Sequence, residues 1–441
     1  MTFKEEVKDI IDKKPTREER IKEKQGKHAK VELHLFPKKT FYRIVLLVMS
    51  MVAAVFLSMM ILMDIFPSDL TFLLIALLFG LLIITCLLFA SNRRWKRIIG
   101  ILFACVFMVL FIGASSFMGN TYAMLGKISD SGKSATGPAA KSVNVTEEPF
   151  NIYITGIDQW EDEKGLDLER SDVNMIVTVN PLTKKLLLTS IPRDTYVKLH
   201  TAQQMDKLTH TGIYGVDETL YTVEDWLGID LNYYVKMNFT GAKDIIDAMD
   251  GINMYSPIEF ESSIKGYKYV KGWNKMGGSK SLYYARERKA FEGQDSVRVE
   301  NQQRVLKAVI KKMTSSTTLL TKYGDIVAAA GDNMSTNMPA NDMKALVRMQ
   351  MTDLSEWDIQ TQKIEGEYGE DYVASLSSAN KYSIYRPDEQ SVEKCMKKID
   401  EVENERPSED DNVLIRNKSF IVNGVNRVLE KWKEKLGQED D

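Results

Sequence analysis

The chain has 441 residues, 27% of them charged, and a formal net charge of −3. That length accommodates a membrane anchor with one sizeable domain or two small ones. The charge carries no basic nucleic-acid footprint. Cys86 and Cys105 fall in apolar runs and Cys395 stands alone, which excludes a disulfide framework.

Residues 1–40 form a charged tail rich in Lys and Glu. Val7, Ile10 and Ile11 are spaced for a marginal amphipathic helix. The tail reads as a solvated segment near anionic lipid, with a partner-binding helix as the alternative. Apolar runs follow at 41–63, 70–90 and 98–118. Each is about 20 residues, the length of a bilayer-spanning helix. A signal peptide fits poorly, because the charged tail precedes the first run and no cleavage site follows it.

The short loops set the expected orientation. Asp64 and Asp69 bracket the first loop, which has no lysine or arginine, whereas Arg93, Arg94, Lys96 and Arg97 crowd the second. The positive-inside rule then puts the N-terminus in the cytoplasm and everything beyond Met118 outside. The tail through Arg43 agrees, with 13 basic against 8 acidic residues, and the region after Met118 is left with −10.

Residues 119–148 contain Ser, Gly, Lys, Ala and Thr and read as a flexible tether. At Phe150 the pattern changes. Phe150, Ile152 and Ile154 alternate with polar residues up to Gly156-Ile157-Asp158, which predicts a strand. Strands at 175–179 and 186–191 follow, joined by Asn180-Pro181-Leu182-Thr183 as turn chemistry. Helices are predicted at 216–227 and 241–249, with strands at 233–237 and 252–255. Further helices are predicted at 279–286, 295–313, 318–330 and 341–351, then a strand at 358–364. The interleaving predicts an α/β fold with a mixed central β-sheet flanked by helices, behind three transmembrane helices. This domain is bounded at 149–365. Residues 366–441 read as an acidic, helical C-terminal extension with a final helix at 420–436.

Within this frame lies a scattered constellation: Asp158, Arg170-Ser171-Asp172, Pro192-Arg193-Asp194, Arg286-Glu287-Arg288, then Asp295 with Arg298 and Gln302. Arginine presents a planar fork that fits phosphate oxygens, and carboxylates suit a hard divalent cation. Together they suit a pyrophosphate held with magnesium. Asp158 ends a strand and Asp172 precedes another, so both carboxylates can meet at one rim. Arg286 and Arg288 would share a face if extended, and Arg298 and Gln302 lie one helical turn apart. The bland reading is a solvated, salt-bridged face. His200 and His210 have no Cys or paired His to make a zinc set. Asn144-Val145-Thr146 and Asn238-Phe239-Thr240 match glycosylation sequons, a pattern frequent by chance.

In Asn151-Ile152-Tyr153-Ile154-Thr155-Gly156-Ile157-Asp158, Arg170-Ser171-Asp172, Ser190-Ile191-Pro192-Arg193-Asp194, Tyr284-Ala285-Arg286-Glu287-Arg288 and Asp295-Ser296-Val297-Arg298 with Gln302-Gln303, the chain resembles the LytR-CpsA-Psr family of cell-wall glycopolymer transferases. The three-span anchor resembles its capsule-type members. Those members often carry an accessory domain where only residues 119–148 stand here.

The resemblance implies an α-β-α fold and a phosphotransferase. It would move a glycopolymer from a polyprenyl-pyrophosphate carrier onto a peptidoglycan hydroxyl. It further implies Asp158 and Asp172 as magnesium and catalytic carboxylates with Arg193. Arg170, Arg193, Arg286, Arg288, Arg298 and Gln302 would surround the pyrophosphate. Many members have an arginine where this chain has Asn301, which implies one fewer positive charge. Ile245, Ile246, Met249, Val305, Val309 and Ile310 are candidates for a prenyl pocket, with core packing as the ordinary reading of each. Two other functions use the same residues: a non-catalytic sensor of lipid-linked intermediates, and a polyprenyl-pyrophosphate hydrolase.

Overall fold

The computed structural model describes residues 38–134, 140–157, 171–263, 265–291, 295–376 and 380–407. The chain forms two compact units, one within Met1–Met51 and Leu82–Val106, the other comprising Val52–Leu81 and Phe107–Asp441. Helices α1 (Lys38–Met63), α2 (Ser68–Ala90) and α3 (Arg94–Ser134) run through both. Each is long and apolar enough to cross a membrane.

In the first unit the Tyr42 ring packs on Phe89 at 4.8 Å, and Arg97 lies over Tyr42 at 5.9 Å. Arg97 Nε also donates to the Ser91 carbonyl at 2.7 Å. The chain approaches Gly100 so closely that a Cβ there would meet Phe89 at 2.8 Å.

The second unit corrects the expected tether. Helix α3 continues past Met118 to Ser134 rather than dissolving into a linker. Thr121, Leu125, Ile128 and Ser129 are all buried, one stripe at helical spacing. Composition alone, with Gly119 and Gly126 each costing about 1 kcal/mol against alanine, hides that stripe.

The remaining elements follow in order. Strands β1 (Phe150–Ile157), β2 (Ser171–Asn180) and β3 (Lys185–Ile191) come first, then a hairpin of β4 (Tyr196–Lys198) and β5 (Met205–Lys207). Helices α4 (Leu208–Thr211) and α5 (Val216–Leu227), strand β6 (Tyr233–Asn238) and helix α6 (Phe239–Ala248) succeed them. Strands β7 (Ile252–Ser256), β8 (Phe260–Glu261), β9 (Lys268–Tyr269) and β10 (Gly272–Met276) form two nested hairpins. Helices α7 (Gly278–Arg286), α8 (Asp295–Met313) and α9 (Ser316–Ala330) lead to β11 (Met334–Thr336), α10 (Ala340–Thr352) and β12 (Asp358–Lys363). Strands β13 (Gly366–Asp371) and β14 (Tyr382–Pro387) and helix α11 (Glu389–Asn404) complete the described chain.

Six strands make one mixed sheet in the order β11-β6-β1-β2-β3-β12. β1 runs antiparallel to β2 and parallel to β6, and β3 runs parallel to β12. Successive side chains point to opposite faces. Tyr153 and Ile176 pack with Leu220, Val223 and Cys395 in one core cluster, whereas Met175 and Val177 pack with Leu186, Ile359 and Ile310 in another. Helix boundaries have local causes. Asn238 caps α6 by accepting from Gly241 N at 2.8 Å, and Gly228 closes α5 in the left-handed region at φ 66°.

The expected domain end at 365 is also displaced. Ile399 and Val402 of α11 pack on Leu187, and Asn180 Nδ2 donates to the Val402 carbonyl at 2.8 Å. Residues 366–376 and 380–404 therefore belong to the folded unit, and Glu401–Asn404 of the acidic stretch lies inside α11. A strongly amphipathic helix among charged residues was the overlooked signal, because Cys395, Ile399 and Val402 recur at helical spacing. The helix expected at 420–436 lies outside the described residues.

Candidate active site

The sheet brings several chain ends to one rim. Ile157, the last residue of β1, pairs with Ser171 at the start of β2 and with Asn238 at the end of β6. Ile191 closes β3 opposite Asn174, and Lys363 closes β12 opposite Ser190. Ligands of open α/β sheets gather at such carboxyl ends. Gly156 sits at a close approach, since a Cβ there would lie 3.0 Å from the Val173 side chain.

Asp158 and Arg170 lie outside the described residues. Their neighbours Ile157 and Ser171 are register partners, so the chain leaves and re-enters the sheet at one point. Ser171 is buried, and its Oγ shares a hydrogen bond of 2.6 Å with Thr155 Oγ1 and donates to Asn174 Oδ1. Tyr153 OH donates to the same Asn174 oxygen at 2.6 Å. Strand alternation then turns Asp172 the other way, with 18% of its side chain exposed. Its Oδ1 accepts from Arg193 Nη1 at 2.6 Å, and this charge-assisted bond joins two of the expected site residues directly.

Arg193 is held by a pinned turn. Thr195 N donates to the Pro192 carbonyl at 3.1 Å, and Thr209 N to the Arg193 carbonyl at 2.8 Å. Asp194 lies 3.6 Å from Arg193 Nε and 3.4 Å from Lys207 Nζ. Tyr385 N donates to the Asp194 carbonyl at 2.8 Å, so β14 braces the motif from the part of the chain expected to be an appendage.

The other site residues come from α7, the turn after it, and α8, which pack together. The helix expected at 279–286 is α7, so Arg286 and Arg288 do not lie together in an extended stretch. Arg286 closes α7, and Glu287 after it is extended, at φ −68° and ψ 132°. Arg286 lies 5.0 Å over the ring of Phe239, the residue that follows β6, which brings it to the same rim. Glu287 is fully buried. It accepts from Ser262 Oγ at 2.8 Å, Ser263 N at 2.8 Å, Ser263 Oγ at 2.9 Å, and the amides of Arg288 and Lys289 at 3.0 and 2.9 Å. Burial pushes its carboxyl pKa up, but these donors outweigh burial and hold it below the ordinary glutamate value. Glu287 thus shapes the loop from which Arg286 and Arg288 project.

Arg298 and Gln302 stand one turn apart on α8, as predicted, with Arg298 buried and Gln302 half-buried. Gln303 ties α8 to β12 by donating to the Gln362 carbonyl. Asn301 is fully buried; its Oδ1 accepts from Arg304 Nη1 at 2.8 Å, while its Nδ2 has no hydrogen-bond partner among the described residues. Arg304 also meets Glu300 at 3.1 Å and lowers the Tyr284 phenol against the larger upward push of burial. Arg304 escaped the sequence reading. Its only signal was its spacing of three and four residues from Asn301 and Glu300.

The expected prenyl-pocket residues divide. Ile310 packs beside the Met175 and Val177 core, while Ile245, Ile246, Met249 and Val305 are buried core side chains. A cavity of about 790 Å³ lies at the opposite end of the sheet, lined by Asn151, Asp230, Met396 and Glu403 among others, away from the arginines. His210 Nδ1 meets buried Asp206 at 2.7 Å and Ser375 Oγ at 2.8 Å, a packed polar knot. His200 pairs with Asp225 at 2.7 Å on the surface.

Asp172 offers a hard carboxylate oxygen at the rim. Magnesium commonly binds through one or two carboxylates, retained waters and substrate phosphates, so the donors present there fit that ion.

A family model described as the LytR_cpsA_psr family matches residues 115–401. The polyisoprenyl-teichoic acid–peptidoglycan teichoic acid transferase TagU of Bacillus cereus (strain AH820) is 34% identical over 244 residues, covering 53% of this chain and 77% of that protein. The like-named protein of Enterococcus faecalis (strain ATCC 700802 / V583) is 32% identical over 256 residues, covering 57% and 83%. The crystal structure of protein gbs0355 from Streptococcus agalactiae superposes with a TM-score of 0.51 at 25% identity, over 61% of this chain and 93% of that one.

Proposed function

The chain belongs to the LytR_cpsA_psr family, and we propose that it is a membrane-anchored phosphotransferase that moves a glycopolymer from a polyprenyl-pyrophosphate carrier onto a peptidoglycan hydroxyl. The teichoic acid transferase names of its relatives support a wall polymer as cargo. The loop charges support a cytoplasmic N-terminus and an exterior catalytic unit.

The Asp172–Arg193 contact at the carboxyl rim of the sheet carries this reading. Arg193, Arg286, Arg288, Arg298 and Gln302, together with Arg170, bind the pyrophosphate and orient it for in-line attack. Such fixed cations act most strongly where charge develops in the transition state. The acceptor oxygen forms a bond to the glycan-linked phosphorus as the bond to the bridging oxygen breaks. Polyprenyl phosphate leaves with that electron pair. Asp172 or Asp158 takes the hydroxyl proton. Those two carboxylates would also hold magnesium, which when bound neutralises phosphate charge.

The test uses full-length protein in vesicles with a synthetic polyprenyl-pyrophosphoryl sugar, magnesium and peptidoglycan fragments, with products followed by mass spectrometry. The expected product is a glycosyl-phosphoryl peptidoglycan adduct, absent for Asp172→Ala and Arg193→Ala. Sugar phosphate released regardless of acceptor would indicate a hydrolase. Binding without turnover would indicate a sensor.

A further inference from the structure

The hairpin of β7 and β10 has one buried face, formed by Ile252, Met254, Asn274 and Met276. Its other face is exposed and carries one polar register pair, Asn253 and Lys275, beside one aromatic pair, where such a sheet normally shows water polar side chains throughout. Tyr255 and Trp273 are register partners, 50% and 71% exposed, with ring centroids 5.7 Å apart in an edge-on arrangement. Ile258 and Val270, just beyond the paired ends of β7 and β10, are exposed as well. Lys265, Lys268, Lys271 and Lys275 are all exposed around it. Residues 256–280 hold five lysines against Glu259 and Glu261, a local net of +3, within a region after Met118 that totals −10.

Exposed aromatic rings set among lysines are the chemistry of a membrane–water interface with anionic lipid. Contacts within the second unit link the base of the hairpin to the anchor through α9. Phe117 of α3 lies against Gly324 of α9, at the position a Cβ would fill. Two residues earlier on α9, Lys322 pairs with Asp250 at 3.1 Å, and Asp250-Gly251 leads directly into β7. Helix α10 adds a second attachment, since Arg348 pairs with Asp64 and Lys344 Nζ donates to the Leu62 carbonyl at 3.4 Å.

We propose that the Tyr255–Trp273 face, with its lysine rim, docks on the anionic surface of the same bilayer that holds the anchor. Glu287 joins the hairpin's Ser262 and Ser263 to the loop of Arg286 and Arg288. Docking would therefore fix these arginines at the height of a lipid-borne phosphate. The lysine rim also suits a soluble anionic polymer, but the exposed aromatic pair and the link to the anchor favour a bilayer. The proposal stands independently of the transferase reading, because its readout is lipid contact and not turnover.

The test uses full-length protein in phosphatidylcholine vesicles, with or without phosphatidylglycerol, carrying a lipid brominated near its headgroup. The difference in emission between the native protein and Trp273→Phe isolates Trp273. Near-ultraviolet circular dichroism checks that the variant is folded. Trp273 emission is expected to be quenched in anionic vesicles. The quenching should fall several-fold in neutral vesicles, and likewise when Lys265, Lys268, Lys271 and Lys275 are changed together to Gln. Emission indifferent to brominated lipid in both vesicle types would overturn the proposal. So would emission that shifts only when soluble polyglycerol phosphate is added, which would assign the face to a polymer.

Discussion

The strand-end side of the candidate site and its helical side use carboxylates in opposite ways. At the strand ends, Asp172 meets the guanidinium of Arg193 at 2.6 Å with part of its side chain open to solvent. On the helical side, buried Glu287 spends its oxygens on hydroxyl and backbone donors and sets the course of the loop between α7 and α8. One carboxylate stays partly open to solvent on a guanidinium and the other is wholly committed to shape, although both stand beside arginines in the sequence. Adjacent charge in a motif therefore does not by itself identify a reacting group.

Substitutions should separate these roles. Asp172→Asn or Arg193→Ala is expected to lower transfer about 10²- to 10³-fold, the usual loss when one transition-state contact goes. Melting temperature should hardly move, because a partly exposed pair contributes about 1 kcal/mol or less. Glu287→Ala should do the reverse in stability. Stranding several buried donors costs about 3 kcal/mol, read as a lower urea midpoint.

The pH dependence follows from the direction of the Glu287 shift. Its native value is depressed, so its stabilisation is complete above the ordinary glutamate value and is lost as pH falls through the native one. Acid unfolding of Glu287→Gln should accordingly be flatter over that interval than that of the native protein. The smallest effect is expected at the anchor. Arg348→Gln removes the exposed pair with Asp64 and should cost about 0.5 kcal/mol, with transfer retained.

Much of this was legible from residues alone. Hydrophobic alternation located β1, and helical spacing located α5 and α8 at Val216–Leu227 and Asp295–Met313. Asp158 and Asp172 were expected at one rim; Asp158 lies outside the described residues, Asp172 falls within β2 rather than before it, and Ile157 pairs with Ser171. Features that depend on tertiary contact were not legible. The bracing of Asp194 by Tyr385 spans almost the whole domain, and no local pattern announces it. The helix expected at 279–286 is present and ends at Arg286, but its packing over Phe239 at the rim was not legible, because no local pattern announces it. The buried stripe of α3 beyond Met118 was masked by small polar residues whose composition mimics a tether.

The measurement that bears most directly on the contrast is the affinity of polyprenyl pyrophosphate for full-length Asp172→Asn and Arg288→Gln, taken beside their turnover. The account expects Asp172→Asn to bind the lipid nearly as the native protein does while transferring almost nothing. Arg288→Gln should instead bind markedly more weakly. Equal loss of binding in both variants, or full turnover by Asp172→Asn, would contradict the division of labour between the two sides.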